Sequence, residues 1–221
     1  MTRAPFTLVC FAVKEEAKPF NQLIGSAPHF RTLLTGIGPR NADKAIRAAL
    51  AQQKPDRVLT CGFAGGLRPD LAAGTVVFSA DKETGLEPAL LAAGARPARF
   101  HCVERVATTA EQKRALWQAT GADAVDMESQ VICAICREQG IPSAIVRVIL
   151  DTADANLPFD FNQFLTADQE LDIPRLTRKV LMSPGKIPAL LQLQQEGKAA
   201  SQKLGQVLAA LLSKAAGTEL R

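Results

Sequence analysis

Two short stretches carry residues with the potential for chemistry. Asp126-Met127-Glu128 sets two carboxylates around a methionine at the start of an apolar helical run, and the apolar strand through Arg147-Val-Ile-Leu ends on Asp151. Open α/β sheets bind ligands at the carboxyl ends of their strands, so Asp151 stands where a ligand is expected. The two segments are close enough in sequence for one fold to bring their acids into one pocket. The rest of the chain must supply the walls of that pocket and whatever Asp151 and Glu128 act upon.

Other residues extend the set. Glu16 lies at a strand-to-helix turn. It reads either as a first-turn carboxylate that offsets the helix dipole or as a third functional acid. Gly36-Ile37-Gly38 joins a strand to a helix N-terminus, where free N–H groups can take an anion, although a tight turn also explains the glycines. Arg40 adds a fixed cation beside them, which suits a phosphate. Gly62, Gly65 and Gly66 let backbone approach a ligand with no Cβ between. No Gly-Lys-Ser/Thr follows them, so the Walker pattern is missing, as is the Rossmann fingerprint. Arg147 sits inside a Val/Ile run and must find an acid, or carry a burial penalty on the order of several kcal/mol. Glu16 is one candidate partner, and the pair could be purely structural.

Composition narrows the classes. The 221 residues suffice for one large domain, and 47% hydrophobic with 22% charged residues is ordinary for a globular protein. The net charge of +4 is spread, with a single Trp and no Tyr. Nucleic-acid binding needs a clustered basic face with stacking aromatics, so it is not expected. The short apolar run before Lys14-Glu15-Glu16 reads as a first buried strand rather than a signal peptide, and no run reaches the length of a membrane span. Five irregularly spaced cysteines suit a reducing cytosol. Cys133-Ala-Ile-Cys136 falls in an apolar helical stripe and reads as core packing; no metal is expected.

Periodicity and punctuation supply the elements that must hold these residues. Strands are predicted over 6–13, 30–35, 75–80, 100–106 and 143–150, with a buried strand from Val58 that runs out into a glycine-rich loop by Leu67 and a brief extended piece over 122–126. Helices are predicted over 14–23, 41–53, 110–120 (capped by Thr108 or Thr109), 129–139, 173–182 and 187–213. Residues 81–98 carry Gly and Pro punctuation and little β-pattern. Leu204, Val207, Leu208, Leu211 and Leu212 keep helical spacing and read as core or subunit packing. Lys198, Lys203 and Lys214 are too few and too spread to anchor that helix on a membrane. Alternating strands and helices predict a three-layer α/β domain with a largely parallel sheet. Without a linker or repeat, residues 1–221 read as one domain with a C-terminal helical extension over about 173–216.

Five stretches in series resemble the purine nucleoside phosphorylase and methylthioadenosine/adenosylhomocysteine nucleosidase superfamily: Ala12-Val-Lys-Glu-Glu16, Thr35-Gly-Ile-Gly38, Cys61-Gly-Phe-Ala-Gly-Gly-Leu67 with Gly74-Thr-Val-Val77, Val125-Asp-Met-Glu128, and Val146-Arg-Val-Ile-Leu-Asp151. Ala124-Val-Asp-Met-Glu-Ser129 and the tail Pro184-Gly-Lys-Ile-Pro-Ala-Leu-Leu191, after Asp172-Ile-Pro-Arg-Leu176, are similar to the hopanoid-associated phosphorylase group. That group is associated with cleaving adenine from adenosylhopane.

The resemblance implies a phosphorylase/hydrolase-like α/β/α fold with a mixed, largely parallel sheet. It also implies roles. Asp151 matches the acid that protonates or hydrogen-bonds purine N7, and Glu128 the acceptor of the ribose 2′- and 3′-hydroxyls. Met127 matches the residue against the sugar, and Glu16 the acid that orients or deprotonates water. Ile37, Phe63, Ala64 and Gly65 match the sugar and nucleophile side. Gly38, Arg40, Arg68 and Arg147 are candidates for a phosphate site, with inorganic phosphate as co-substrate and no other cofactor.

Three departures bear on the substrate. Phe63 and Leu150 stand where the nucleosidases carry Ser, and the region between Gly66 and Met127 is shorter. That suggests an open 5′ side suited to a bulky lipid substituent. The implied function is release of adenine from a 5′-substituted adenosine such as adenosylhopane, by phosphate or water. A methylthioadenosine/adenosylhomocysteine nucleosidase is one alternative. A non-catalytic nucleoside-binding protein is another, and the intact acid set argues against it. The implied setting is a cytoplasmic homo-oligomer, dimeric or higher, in peripheral contact with a membrane.

Overall fold

The computed structural model describes residues 6–25, 27, 29–166, 169 and 172–217, without the side chains of 212–217. In chain order the elements are β1 (Thr7–Phe11), α1 (Lys14–Ile24), β2 (Phe30–Leu34), α2 (Pro39–Gln52), β3 (Arg57–Gly66), β4 (Val76–Ala80), α3 (Glu87–Ala92) and β5 (Arg96–Pro97). They continue with β6 (Phe100–Cys102), α4 (Ala110–Thr120), β7 (Ala124–Asp126), α5 (Ser129–Glu138), β8 (Ser143–Asp151), α6 (Ile173–Leu181) and α7 (Ile187–Gly217). Short 3-10 turns cover Lys82–Thr84, Phe161–Phe164 and Pro184–Lys186.

The sheet runs β2-β1-β3-β8-β4-β5, and β7 pairs with the end of β3 and carries β6. From β2 to β8 the pairs are parallel, while β4 on β8 and β7 on β3 are antiparallel. The sheet is therefore mixed and largely parallel, as expected. Alternation along β1 sorts its side chains to the two faces. Val9 and Phe11 join Phe20, Leu90, Leu204 and Leu208 under α1, α3 and α7. Leu8 and Cys10 join Ile46 and Ile135 under α2 and α5. Burying both faces requires helices on both, which makes three layers.

Local signals explain several boundaries. Thr109 accepts the Gln112 N–H at 3.2 Å and the Gln112 side chain accepts the Thr109 N–H at 3.2 Å, a reciprocal cap that starts α4. Gly121 ends it in the left-handed region at φ +63°. Cys136 is buried beside Ile135 and Ile46, and Cys133 and Cys136 are both free thiols, consistent with core packing.

Two expectations change. The glycines after Cys61 do not form a loop: β3 runs through Gly66 because β8 pairs alongside it, Gly62 opposite Arg147 and Gly65 opposite Asp151. The strand expected over 100–106 stops at Cys102, because its partner β7 turns into α5 after Asp126. The segment 81–98, with its little β-pattern, holds only the two-residue β5 as strand; Leu86 and Leu90, one helical turn apart, bury against the core at α3.

The C-terminal stripe packs as core. Leu204, Leu208 and Leu211 are buried against the α1 side of the sheet; the Leu212 side chain lies outside the described residues. The crossing with α1 is close at Gly205, where a Cβ would lie 3.0 Å from Phe20 N and 3.2 Å from Pro19 C. Backbone cannot yield as a flexible side chain would. Gly205→Val is expected to force the helices apart and destabilise the fold by about 1–3 kcal/mol, read as a lower urea midpoint; an unchanged midpoint would refute this packing.

Candidate active site

Each candidate acid is placed by a different joint of the fold. At the end of β1 the chain turns into α1, and Glu16 folds back over that turn. Its Oε2 accepts the N–H groups of Ala12 and Val13 at 3.1 and 3.3 Å, and its Oε1 accepts the Phe63 N–H from β3 at 2.9 Å. Glu16 thus satisfies a helix start and at the same time faces the cavity. Glu128 follows β7. Its Oε1 accepts the Gly38 N–H at 2.8 Å and its Oε2 the Arg147 Nη2 at 3.4 Å. Each carboxylate oxygen keeps acceptor capacity for one further donor. Asp151 ends β8, beside Gly65. A Cβ at Gly65 would lie 3.2 Å from Val125 Cγ1 and within 3.8 Å of both Asp151 carboxylate oxygens.

These acids open onto one cavity of about 960 Å³. Its carboxyl groups are Glu15, Glu16, Asp126, Glu128 and Asp151, and among the described residues no Lys, Arg or His lines it. Ile37, Phe63, Ala64, Gly65 and Met127 line it as well, so the structure brings together every expected acid and sugar-side residue. The far wall is apolar, with Val103, Val106, Leu157, Phe161, Ile173 and Leu193. Phe63 and Leu150, the two departures from the nucleosidase pattern, both approach α7 at Gly197. A Cβ at Gly197 would lie about 4 Å from each ring or methyl end: 4.0 Å from Phe63 Cζ and 3.9 Å from Leu150 Cδ1.

The expected phosphate ligands do not converge there. Arg147 is 1% exposed and lies behind the cavity wall. Its acid is not Glu16 but Asp126, with Nε 2.9 Å from Oδ2, and then Glu128. Nη1 donates to the Cys61 carbonyl at 3.1 Å and Nη2 to Thr60 Oγ1 at 3.2 Å. Buried away from the cavity lining and paired with two acids, Arg147 is not placed to hold a phosphate. Glu16 comes near it at Gly62, where φ is +147° and a Cβ would lie 2.5 Å from Arg147 Nη1 and 2.7 Å from Glu16 Oε1. Gly38 gives its N–H to Glu128 rather than to an anion. Arg40 is exposed and borders a separate cavity of about 280 Å³, with Arg105 and Asn162. Arg68 pairs with Asp70 and Asp123 near the surface.

Burial sets the protonation of the acids. It pushes Glu128 up to about 7, with Asp126 adding to the rise and Arg147 and the Gly38 N–H opposing it. It also raises Glu16, against the Arg147 charge and three backbone N–H groups, and Asp151, against the ammonium of Lys113. Lys113 was missed in the sequence. It is fully buried on α4, ion-paired with Asp151 and donating to the Thr152 and Ala155 carbonyls at 2.7 and 2.9 Å. The run Glu111-Gln112-Lys113-Arg114 hides which cation turns inward; the available signal is its place one turn before Leu116.

The site thus holds one carboxyl at a strand end, a second held by the Gly38 N–H and Arg147, and a third backed by backbone N–H donors, all facing one cavity. The sequence model of the Phosphorylase superfamily matches residues 20–105 and 94–181. The chain belongs to that superfamily. It is accordingly an enzyme of N-ribosyl bond cleavage. A 5′-methylthioadenosine/S-adenosylhomocysteine nucleosidase of Anoxybacillus flavithermus is 28% identical over 167 residues, 60% of this chain and 72% of the relative. Among solved structures, futalosine hydrolase of Helicobacter pylori superposes with a TM-score of 0.71 at 14% identity, over 95% of this chain and 98% of that one. The methylthioadenosine/S-adenosylhomocysteine nucleosidase of Neisseria meningitidis gives 0.69 at 17% identity, over 96% and 100%. These two structures share the superfamily fold.

The buried cation is the site's structural hinge point. Arg147→Met leaves Asp126 and Glu128 buried without their counter-charge. The expected cost is about 3–5 kcal/mol by urea unfolding, and a loss below about 1 kcal/mol would contradict this arrangement.

Proposed function

We propose that this enzyme hydrolyses the N-ribosyl bond of a 5′-substituted adenosine and releases adenine. One observation carries the reading: three carboxyl groups from separate elements face one cavity whose described lining holds no cation. Asp151 gives its proton to purine N7 as the C1′–N9 bond breaks and its electron pair leaves with the base. Glu128 accepts from the ribose 2′- and 3′-hydroxyls with the acceptor capacity that Gly38 and Arg147 leave. Met127 packs against the sugar. Glu16 takes a proton from the water whose oxygen bonds to C1′; its raised affinity for protons makes it a better base. A phosphate dianion among five carboxyl groups would be repelled, so water rather than phosphate is the nucleophile.

The apolar wall and the volume support a bulky apolar 5′ substituent, with adenosylhopane as the proposed substrate. The Anoxybacillus relative favours a second reading, in which the 5′ group is a small thioether as in methylthioadenosine. In either case residues 173–216 belong to the same working unit, since Ile173 and Leu193 wall the site.

A lipid-bearing substrate also accounts for an exposed apolar pair at the end of α6, the helix whose first residue, Ile173, lines the cavity. Leu181 and Met182 are 74% and 72% exposed, and α6 carries Arg175, Arg178 and Lys179. Apolar side chains flanked by cations suit an anionic lipid surface. No helix among the described residues is long and apolar enough to cross a membrane. Co-sedimentation with phosphatidylglycerol/phosphatidylcholine vesicles is expected, and Leu181→Asp with Met182→Asp should abolish it. Wild-type protein left in the supernatant would remove this part of the reading.

An adenine-release assay on both substrates, with and without phosphate, tests the reaction. Release is expected without phosphate and unchanged by it. Glu128 accepts both hydroxyls only when ionised, so kcat/KM should fall as pH drops through about 7. Asp151→Asn should lower kcat by about 100-fold or more. Release that requires phosphate would overturn hydrolysis, and no release from either substrate would overturn the whole reading.

A further inference from the structure

We propose that Lys113 is a positioning residue for the reaction: it holds one oxygen of Asp151 and supplies the counter-charge that Asp151 needs when its proton passes to the purine. This rests on the hydrolase reading and assigns a task to a residue outside the cavity lining.

The geometry is specific. A fully buried lysine is costly unless its charge is paired and its donors are used. The three N–H donors of Lys113 have three matched acceptors: the Asp151 carboxylate, the Thr152 carbonyl and the Ala155 carbonyl. The two carbonyls fix the ammonium, and the ammonium then fixes Asp151 Oδ2. Asp151 lines the cavity, and Oδ1, the oxygen Lys113 does not hold, is the one assigned to the ligand. Anchoring the loop after β8 to α4 would need only the two carbonyl contacts, so the carboxylate contact is the part that speaks for chemistry.

The surroundings leave Lys113 as the dominant charge on Asp151. β3 meets the carboxyl at Gly65, beside Val125 of β7, and neither residue titrates. From α7, Glu196 acts weakly in the opposite sense to Lys113. Burial alone would make Asp151 hold its proton tightly and give it up slowly. With Lys113 beside it, transfer of the proton from Oδ1 to N7 turns a neutral acid next to a cation into an ion pair. That product is favoured in a site of low polarity. The glycosidic electron pair leaves with adenine, and solvent reprotonates Asp151 after the base departs.

Lys113→Met removes the charge at similar volume. With the adenine substrate, kcat is expected to fall about 10²-fold while KM changes less than about threefold. The alkaline limb of the kcat profile should move to higher pH, because Asp151 without Lys113 holds its proton longer. A 4-nitrophenyl riboside, whose leaving group needs no proton at N7, should lose less than about threefold. Equal losses on both substrates with an unmoved limb would show a purely structural lysine and overturn the proposal. If Lys113→Met does not fold, Lys113→Gln keeps a donor for the loop carbonyls without the charge and carries the same test. Failure of the hydrolase reading looks different: the wild-type enzyme would release no adenine. The Asp151 carboxyl titration, followed by carbon-13 NMR and assigned with Asp151→Asn, then decides the matter. A midpoint about one pH unit or more higher in Lys113→Met supports the pair, and an unchanged midpoint overturns it.

Discussion

A guanidinium in the middle of a mixed sheet constrains everything around it. Arg147 cannot reach water from its place on β8, so the fold must bring acceptors to it. Asp126 comes from the end of β7, Glu128 from the turn that follows, and the Cys61 carbonyl and Thr60 hydroxyl from the adjacent strand. Those demands position β7 antiparallel on β3 and aim Glu128 at Gly38. The opening of α2 is thereby tied to the same carboxylate. Gly62 is required at the crossing because any Cβ there would strike both Arg147 and Glu16. One buried cation thus holds Asp126 and Glu128 without entering the cavity.

The acids that face the cavity are held in tension. Burial favours their protonated forms, while Arg147, Lys113 and backbone N–H groups favour the ionised ones. Carboxyl groups balanced in this way titrate nearer neutrality, where proton transfer in either direction is cheap. The cations that do the balancing sit behind the wall and leave the lining anionic. That separation lets the site tune its acids while still disfavouring an anionic nucleophile.

Motif and element reading went far because several local signals agree with the tertiary structure. The apolar run of β8, the Thr109–Gln112 cap and the i, i+3, i+4 stripe of α7 each report on a burial that does occur. The glycines of β3 misled, because a glycine cluster looks like a loop until a neighbouring strand is seen to pair with it. Arg40 misled in the same way. A cation next to a helix start suits an anion in one dimension, but its side chain turns toward a different cavity.

Residue types and their order alone determined the superfamily, the layered α/β plan and the identity of Glu16, Glu128 and Asp151 as the acids of one site. Those are properties of short segments whose pattern survives translation into structure. Only the tertiary structure decided the pairings: Arg147 with Asp126 and Glu128 rather than Glu16, Gly38 with Glu128 rather than phosphate, and Lys113 with Asp151. Each joins residues 19 to 90 positions apart or buries a charge that composition counts as surface. Electrostatic partnership depends on distance and desolvation in three dimensions, and neither is written in the local sequence.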